Sequence, residues 1–481
     1  MKRKTYLLFV LVILVLMSCK REEQPPNIIY IMSDDHTTGA ISAYGESFLE
    51  TPNIDNLAEQ GMRFNNCFNV VSLCGPSRAS ILTGIYSVHN GYLKNGDRLD
   101  TALLTFPKVL QKAGYETAVI GKWHLITQPQ GFDFYDVISK QGHYYNCRMK
   151  KKGEAWQDGS KGGQQQPGYV TDVITNKAIN WLQSRNKTKP FCLLVHHKSP
   201  HGPYRYPEEY NSYLADTMLP EPPSFYDKFE GKNQQLAQGF CGYSKLQNIH
   251  PLHFIKEIPD SANQGSLSYK RWAYQTVMKG YHRLVRSLDD NVGRLINFID
   301  NSDLHKNTVV IYTSDNGWFL GDHGLFNKMW MYEESLRVPL IVRYHEKIEP
   351  SSVSDDFIST LDFAPTILDI AQVFKNEQFQ GSSLKSILHG EAPENPRMEH
   401  FYHYFGQYEV PSHCGIRTKE YKLVHFYEIE EGPKWELYNL IDDPDEMVNL
   451  INDPSYKSKI TELKAILRDK KNEYENKNKW F

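Results

Sequence analysis

Two acidic pairs and one cysteine-centred helix hold the chemistry that this chain could perform. Asp34-Asp35 follows the apolar run Ile28 to Met32, and Asp315-Asn316 follows the run Thr308 to Thr313. Three carboxylates and an amide offer only hard oxygen ligands, which suit calcium or magnesium and disfavour zinc or copper. Singly, each pair reads as a turn or a helix cap. Two such pairs, each at a strand end, favour a cation site. The segment Leu73-Cys74-Gly75-Pro76-Ser77-Arg78-Ala79-Ser80-Ile81-Leu82-Thr83-Gly84 sets a cysteine beside a helix with Pro76 in its first turn and Arg78 one turn from the thiol. A helix N-terminus and an arginine would both favour a thiolate or another oxyanion at Cys74.

These residues need a frame, and the hydrophobic pattern supplies one. Apolar runs at Ile28 to Met32, Thr117 to Ile120, Phe191 to Val195, Thr308 to Thr313 and Val338 to Val342 read as buried strands. Helical periods lie between them: Ile54 to Gln60, Phe106 to Ala113, Val170 to Ser184, Arg271 to Ile299 and Asp362 to Ala371. Strands alternating with helices predict an α/β fold, a large mostly parallel sheet sandwiched by helices. Open sheets of this kind place their sites at the strand ends, where the acidic pairs fall. Residues 200 to 265, rich in Pro, Tyr, Asn and Gln, read as a long surface insertion. After about His389 the chain becomes Tyr-rich and β-leaning, then ends in a charged helix. This predicts a smaller C-terminal antiparallel sheet with a helix, over residues 391–481, behind a catalytic domain at 27–390.

Composition limits the rest. With 481 residues, 54 Lys and Arg against 57 Asp and Glu, and a formal charge of -3, the chain is no nucleic-acid binder by footprint. Lys2, Arg3 and Lys4 precede an apolar run from Tyr6 to Met17 ending in Ser18-Cys19, which resembles a bacterial lipobox. Residues 1–18 are read as a lipoprotein signal peptide, Cys19 as the lipid-anchored mature N-terminus and 19–26 as a tether. The expected location is the periplasm or outer-membrane surface of a Gram-negative bacterium. Loss of residues 1–18 takes three positive charges and moves the formal charge from -3 to -6. Any pocket for an anion must then be locally positive. Cys67, Cys147, Cys192, Cys241 and Cys414 form no disulfide framework or zinc pattern and read as free or structural thiols.

Cys-X-Pro-Ser-Arg followed by Leu-Thr-Gly resembles the signature of the type I, formylglycine-dependent sulfatases of the alkaline phosphatase superfamily. Gly114-Tyr115-Glu116-Thr117-Ala118 through Gly121-Lys122-Trp123-His124 resembles their second signature. Ser199-Pro200-His201 is similar to their histidine segment, with His197 close by as a second imidazole. Thr313-Ser314-Asp315-Asn316-Gly317, Gly321-Asp322-His323-Gly324 and Lys328 resemble the metal strand and sulfate-binding lysine loop. The resemblance spans residues 26 to 450. It implies an alkaline phosphatase-like fold and one Ca2+ held by Asp34, Asp35, Asp315 and Asn316 together with residue 74, the modified Cys74. It also implies that a formylglycine-generating maturase oxidises Cys74 to Cα-formylglycine, which is hydrated to a geminal diol. Arg78 would steady the ionised hydroxyl, Lys122 and Lys328 neutralise the sulfate, and His201 protonate the departing oxygen. His124, two residues after Lys122 and on the same face if the strand continues, would take the second hydroxyl's proton.

For the substrate, the stretches Lys279 to Leu295 and Phe401 to Leu423 look most like bacterial N-acetylglucosamine-6-sulfatases, which implies a sulfated glycan of glycosaminoglycan or mucin type. His403, Tyr404, His413 and Arg417 are the expected sugar contacts; the alternative is that such residues pack the sheet. Other readings stay open: a sulfatase for another position such as a 2-O-sulfated uronic acid, a phosphonate or phosphodiester hydrolase of the superfamily, a cysteine hydrolase with a Cys74 thiolate, or an inactive glycan-binding lipoprotein.

Overall fold

The computed structural model describes residues 24–45, 49–157, 159, 161–242, 266–373, 378–430, 432 and 434–475. The expected signal peptide and Cys19 lie outside the described residues, as does most of the second half of the insertion. The strands are β1 (Asn27–Asp34), β2 (Met62–Phe68), β3 (Glu116–Lys122), β4 (Phe134–Ile138), β5 (Arg148–Lys151), β6 (Gln164–Gln165), β7 (Phe191–Pro200) and β8 (Thr308–Ser314). A two-stranded ribbon follows, β9 (Phe319–Leu320) and β10 (Phe326–Asn327), and then β11 (Leu340–Tyr344) and β12 (Ser352–Ser359). Ten strands form one sheet in the order β12-β2-β11-β8-β1-β7-β3-β4-β5-β6. Its centre, β8-β1-β7-β3-β4, is wholly parallel, while β11 runs antiparallel to both β8 and β2.

Alternate residues of the central strands feed two separate cores, as the period of two requires. Ile29, Ile31, Ile120, Leu193, Val195 and Tyr312 face the helices Pro52–Glu59, Val170–Ser184 and Leu267–Asp300. Ile28, Tyr30, Val119, Leu194, Val309 and Ile311 face the helices Cys74–Thr83, Phe106–Lys112 and Phe363–Ile370. Burial on both faces is why these strands read as unbroken apolar runs. One end of the sheet differs: β12 at the edge and β2 beside it alternate with Asn, Arg and Asp, so their sequence shows no such run.

The expected C-terminal sheet is present as β13 (Glu399–Tyr404), β14 (His413–Thr418), β15 (Tyr421–Phe426) and β16 (Trp435–Asn439), all antiparallel. One face packs Ile416, Leu423 and Leu437 on Leu463, Leu467 and Tyr474 of the helix Lys457–Glu475. The other face lays Tyr402, Val424 and Tyr438 against Phe68, Trp330 and Tyr332 of the main body. No described helix is long and apolar enough to cross a membrane.

A buried ion network joins the two parts. Lys422 on β15 is fully buried and pairs with Glu333 at 2.9 Å and Glu446 at 2.8 Å, and Arg417 on β14 pairs with Glu333 at 3.1 Å. Removing one partner of such a group leaves buried charge uncompensated. Lys422→Met is therefore expected to destabilise the protein by about 3–5 kcal/mol. Urea unfolding checks this, and a stability equal to wild type would show that the network does not join the parts.

Candidate active site

Because β8, β1, β7 and β3 are parallel, their C-terminal ends open on one edge, and each delivers a polar residue there. Asp34 ends β1, and Asp35 follows in a left-handed turn at φ 67°. Lys122 ends β3, His201 follows β7, and Asp315 follows β8. Lys122 reaches this edge only because residue 121 is glycine: its φ is 105°, and a Cβ would lie 1.9 Å from the His196 carbonyl oxygen. The helix Cys74–Thr83 enters from the second core with Cys74 as its first residue. Lys328 comes from just beyond β10, with Asn327 and Met329 both left-handed, at φ 81° and 88°.

Ligand atoms of Asp34, Asp35, Cys74 and His201 all lie within 4.8 Å of one another. Asp315 closes the group: its Oδ1 accepts from the Asp35 N–H at 3.1 Å, and its Oδ2 from Arg78 Nε at 2.8 Å. Asn316 Nδ2 donates to Asp35 Oδ1 at 3.3 Å, and Asn69 Nδ2 donates to Asn316 Oδ1 at 3.2 Å. Lys122 Nζ pairs with Asp34, Lys328 Nζ pairs with Asp35, and Lys328 Nζ also lies 2.9 Å from Cys74 Sγ. Asp34, Asp35 and Asp315 are wholly buried. Among the described residues, Asp35 Oδ2 has no hydrogen-bond donor although it is sealed from solvent. A carboxylate oxygen so placed, among hard oxygen donors, fits a divalent cation of the calcium type.

The electrostatics divide the carboxylates. Burial works to raise Asp34, yet Lys122 with His201 and Arg78 holds it well below the ordinary carboxylate value. Burial pushes Asp35 up to about 7, with Asp34 and Asp315 adding to the rise and Lys328 opposing it. Against its own burial, Lys328 is held well above the ordinary ammonium value by Asp35 and the other carboxylates. Burial also pushes the Cys74 thiol far up, and Lys122 and Lys328 only partly offset it. The sulfur lies 3.4 Å from Asp34 Oδ1 and 3.9 Å from Asp35 Oδ1, where a thiol can donate to either carboxylate.

Both histidines join the group. His124 sits beyond the end of β3 at φ 59°, so the strand does not continue as expected and a left-handed turn sets the ring's place. Burial, Lys122 and Arg78 all keep it neutral. His201 Nε2 lies 3.7 Å from Asp35 Oδ2, while its Nδ1 lies 2.6 Å from the Gly202 carbonyl and so bears the hydrogen. His197, the other imidazole of that segment, is buried in β7 and burial lowers it to about 3. Several partners were not legible in the sequence. Gln141 accepts from Lys122 Nζ at 2.6 Å, Tyr144 donates to the His201 carbonyl at 2.6 Å, and buried Lys198 donates to the Gly202 carbonyl at 3.3 Å. They come from loops and an inward-facing strand position, where neither periodicity nor a motif marks them.

The expected sugar contacts fall elsewhere. A cavity of about 440 Å³ opens beside the cluster, with His124, Gln141, Asn95 and Tyr408 in its wall, and none of His403, Tyr404, His413 or Arg417 lines it. His403 bonds the Tyr427 hydroxyl at 2.7 Å, and His413 stacks on Trp330 and Tyr402 within the inner core. Arg417 is committed to Glu333. Tyr404 donates to the Gln407 carbonyl at 2.8 Å, and Gln407 binds the Asn95 backbone, so Tyr404 supports the cavity rim from behind.

Three buried carboxylates gain most from a divalent cation, which binds the folded chain alone and stabilises it by mass action. Calcium is therefore expected to raise the Tm and a chelator to lower it. Equal melting in both would count against a cation at this cluster.

The arrangement of carboxylates, lysines and histidines around residue 74 agrees with what comparison finds along the whole chain. The sulfatase family model matches residues 26–373, and a model described as N-sulphoglucosamine sulphohydrolase, C-terminal matches residues 321–473. N-acetylglucosamine-6-O-sulfatase of Bacteroides thetaiotaomicron is 39% identical over 98% of this chain and 91% of its own. A solved protein in complex with its substrate, D-glucosamine-2-N,6-O-disulfate, is 38% identical and superposes with a TM-score of 0.86 over 94% of this chain and 99% of that one. The phosphonate monoester hydrolase of Agrobacterium radiobacter, at 22% identity and a TM-score of 0.70 over 93% and 96%, shares the fold. With the two family models spanning both sheets and the cluster where their strands converge, the chain belongs to the sulfatase family and is a sulfuric ester hydrolase.

Proposed function

We propose that this enzyme removes the 6-O-sulfate of N-acetylglucosamine-type residues in glycosaminoglycan or mucin glycans. The observation that carries this reading is the 39% identity over 98% of the chain to a relative named for that activity. On this reading a maturase converts Cys74 to Cα-formylglycine, whose hydrate supplies one hydroxyl to attack sulfur and a second to expel sulfate afterwards. A calcium ion held by Asp34, Asp35, Asp315 and Asn316 would supply Lewis-acid charge beside residue 74.

The chain's own residues do the rest. Lys328 Nζ lies 2.9 Å from Cys74 Sγ and Lys122 pairs with the neighbouring Asp34, so the two can meet the oxygens of an incoming sulfate as fixed cations. Arg78 is fixed by Asp315 and by the Lys122 carbonyl at 2.9 Å, so it holds residue 74 without reorganising. His124 stands among cations and stays an unprotonated base, suited to take the second hydroxyl's proton. His201 is neutral through burial, but Asp34 opposes that loss of charge. A bound sulfate adds negative charge near the ring, which favours a proton on Nε2 for delivery to the sugar oxygen. Burial, Lys122 and Lys328 lower both imidazoles and Asp34 opposes this in both, so the roles of base and acid follow from their positions in the matched motifs.

In maturase-containing cells, the enzyme is expected to release sulfate from 6-sulfated N-acetylglucosamine and to carry an aldehyde in the peptide spanning residue 74. Lys328→Ala is expected to lower kcat by at least about a hundredfold with the fold intact. A preference for the phosphate ester of the same alcohol, or full rates with an unmodified thiol, would overturn the reading. The lipobox-like segment supports an exported lipoprotein anchored at Cys19. β1 starts at Asn27 and carries Asp34 about 25 Å away at its other end, so the catalytic edge would point away from the membrane. Cys19→Ser should then abolish labelling by palmitate; retained labelling would refute the anchor.

A further inference from the structure

The cavity beside the catalytic cluster has a wall of one charge sign. From His124 and Gln141 it continues through Lys140, His143, Arg148 and Tyr408, and no aspartate or glutamate among the described residues lines it. Composition alone does not account for this, because acidic residues outnumber Lys and Arg by 57 to 54 in the chain. Several basic side chains elsewhere on this protein face a carboxylate: Lys177 reaches Asp136, Arg294 reaches Asp172 and Arg343 reaches Asp300. Among the described residues Lys140, His143 and Arg148 have no such partner. Arg148 is anchored instead by a bond from Nη1 to the Gly163 carbonyl at 3.0 Å, which leaves further guanidinium donors for a ligand.

The wall is also built with strained backbone. His124, Ile126 and Tyr408 line it with φ of 59°, 66° and 55°, and none of them is glycine. Left-handed conformations are uncommon for such residues and persist where the surroundings over-determine them. Gln141 belongs to this wall and also binds Lys122, so the cavity continues directly from the pocket that would hold the sulfate being cut. At about 440 Å³ it is of the size that holds a small ligand such as a sugar ring.

We propose that this cavity binds a second anionic group of the substrate, a sulfate or a carboxylate carried near the ester that is cut, through Arg148 and Lys140, with His143 as a further donor. The proposal rests on the reading that a sulfated amino sugar is the substrate, and it names what else that substrate bears. Arginine suits both oxyanions, since its planar fork matches two oxygens at once. The group could sit on the same ring, as an N-sulfate, or on a neighbouring uronate.

Steady-state kinetics on three substrates separate these sources: 6-O-sulfated N-acetylglucosamine, 6-O-sulfated glucosamine N-sulfate, and the first of these joined to a uronate. The wild-type enzyme is expected to favour at least one doubly anionic substrate by about tenfold or more in kcat/KM, mainly through KM, and less so at high salt. In the double variant Lys140→Gln, Arg148→Gln that ratio is expected to fall towards one, and Arg148→Lys alone should restore part of it. A wild type that ranks the three alike, or a ratio unchanged in the double variant, overturns the proposal. Thermal melting reads the site without turnover: glucosamine N-sulfate or free glucuronate should raise the Tm of the wild type and not of the double variant. Equal behaviour of the two proteins towards both probes overturns it. If the Tm difference is found but no 6-sulfate is cut, the cavity proposal stands and the 6-desulfation reading fails.

Discussion

Three carboxylates buried within one cluster are the constraint on which the rest of this molecule depends. Asp34, Asp35 and Asp315 are all sealed from solvent, and moving unpaired charges of one sign out of water costs several kcal/mol each even after relaxation. The fold answers with Lys122, Arg78 and Lys328, brought from three separate elements. Each requires its own support. Lys122 needs a glycine before it so that β3 can approach β7. Arg78 needs the helix Cys74–Thr83 seated on the second core. Lys328 needs a loop with left-handed residues on both sides, and that loop needs the C-terminal sheet.

The second sheet is thus part of the site without entering it. Tyr402 on β13 donates to the Met329 carbonyl at 2.7 Å, next to Lys328, and accepts from the Ser72 N–H at 3.2 Å, two residues before Cys74. One buried hydroxyl therefore ties the lysine loop to the approach of the cysteine helix. The Cys241 thiol adds a contact to the Lys328 carbonyl at 3.1 Å. His403, His413 and Arg417, which in the sequence resemble sugar contacts, belong to this supporting layer. Aromatic and basic residues on a half-polar strand look the same whether they face a ligand or a neighbouring core, because composition does not show which face is covered.

What was legible in the sequence follows the same logic. Central strands buried on both faces, such as β1 and β8, stand out as apolar runs, and the long helix Leu267–Asp300 stands out by its period. The strands β2 and β12 were not legible: Arg63, Asn65, Asp355 and Asp356 interrupt them at the sheet's margin, where water is near. The cluster's members were legible because acidic pairs and a cysteine-proline-arginine helix sit at strand ends. Gln141, Tyr144 and Lys198 were not, since their contacts join segments far apart in the chain. The position of His124 was anticipated for a reason that fails: the strand ends, and backbone strain rather than strand alternation sets the ring's place.

The state of residue 74 follows from the same charges. An anion there would stand within 4 Å of Asp34 and Asp35, in a site whose cations are already paired with those carboxylates. Burial adds to the cost and pushes the thiol's pKa up. Arg78 alone does not change the balance, because it is shared between Asp315 and, at 3.9 Å, Asp34. A nucleophilic anion becomes favourable only when further positive charge joins the carboxylates, which is the part a divalent cation can play. The acidic composition that rules out a general attraction for anions thus has a local counterpart. Here too negative charge is admitted only where a cation has been placed to meet it.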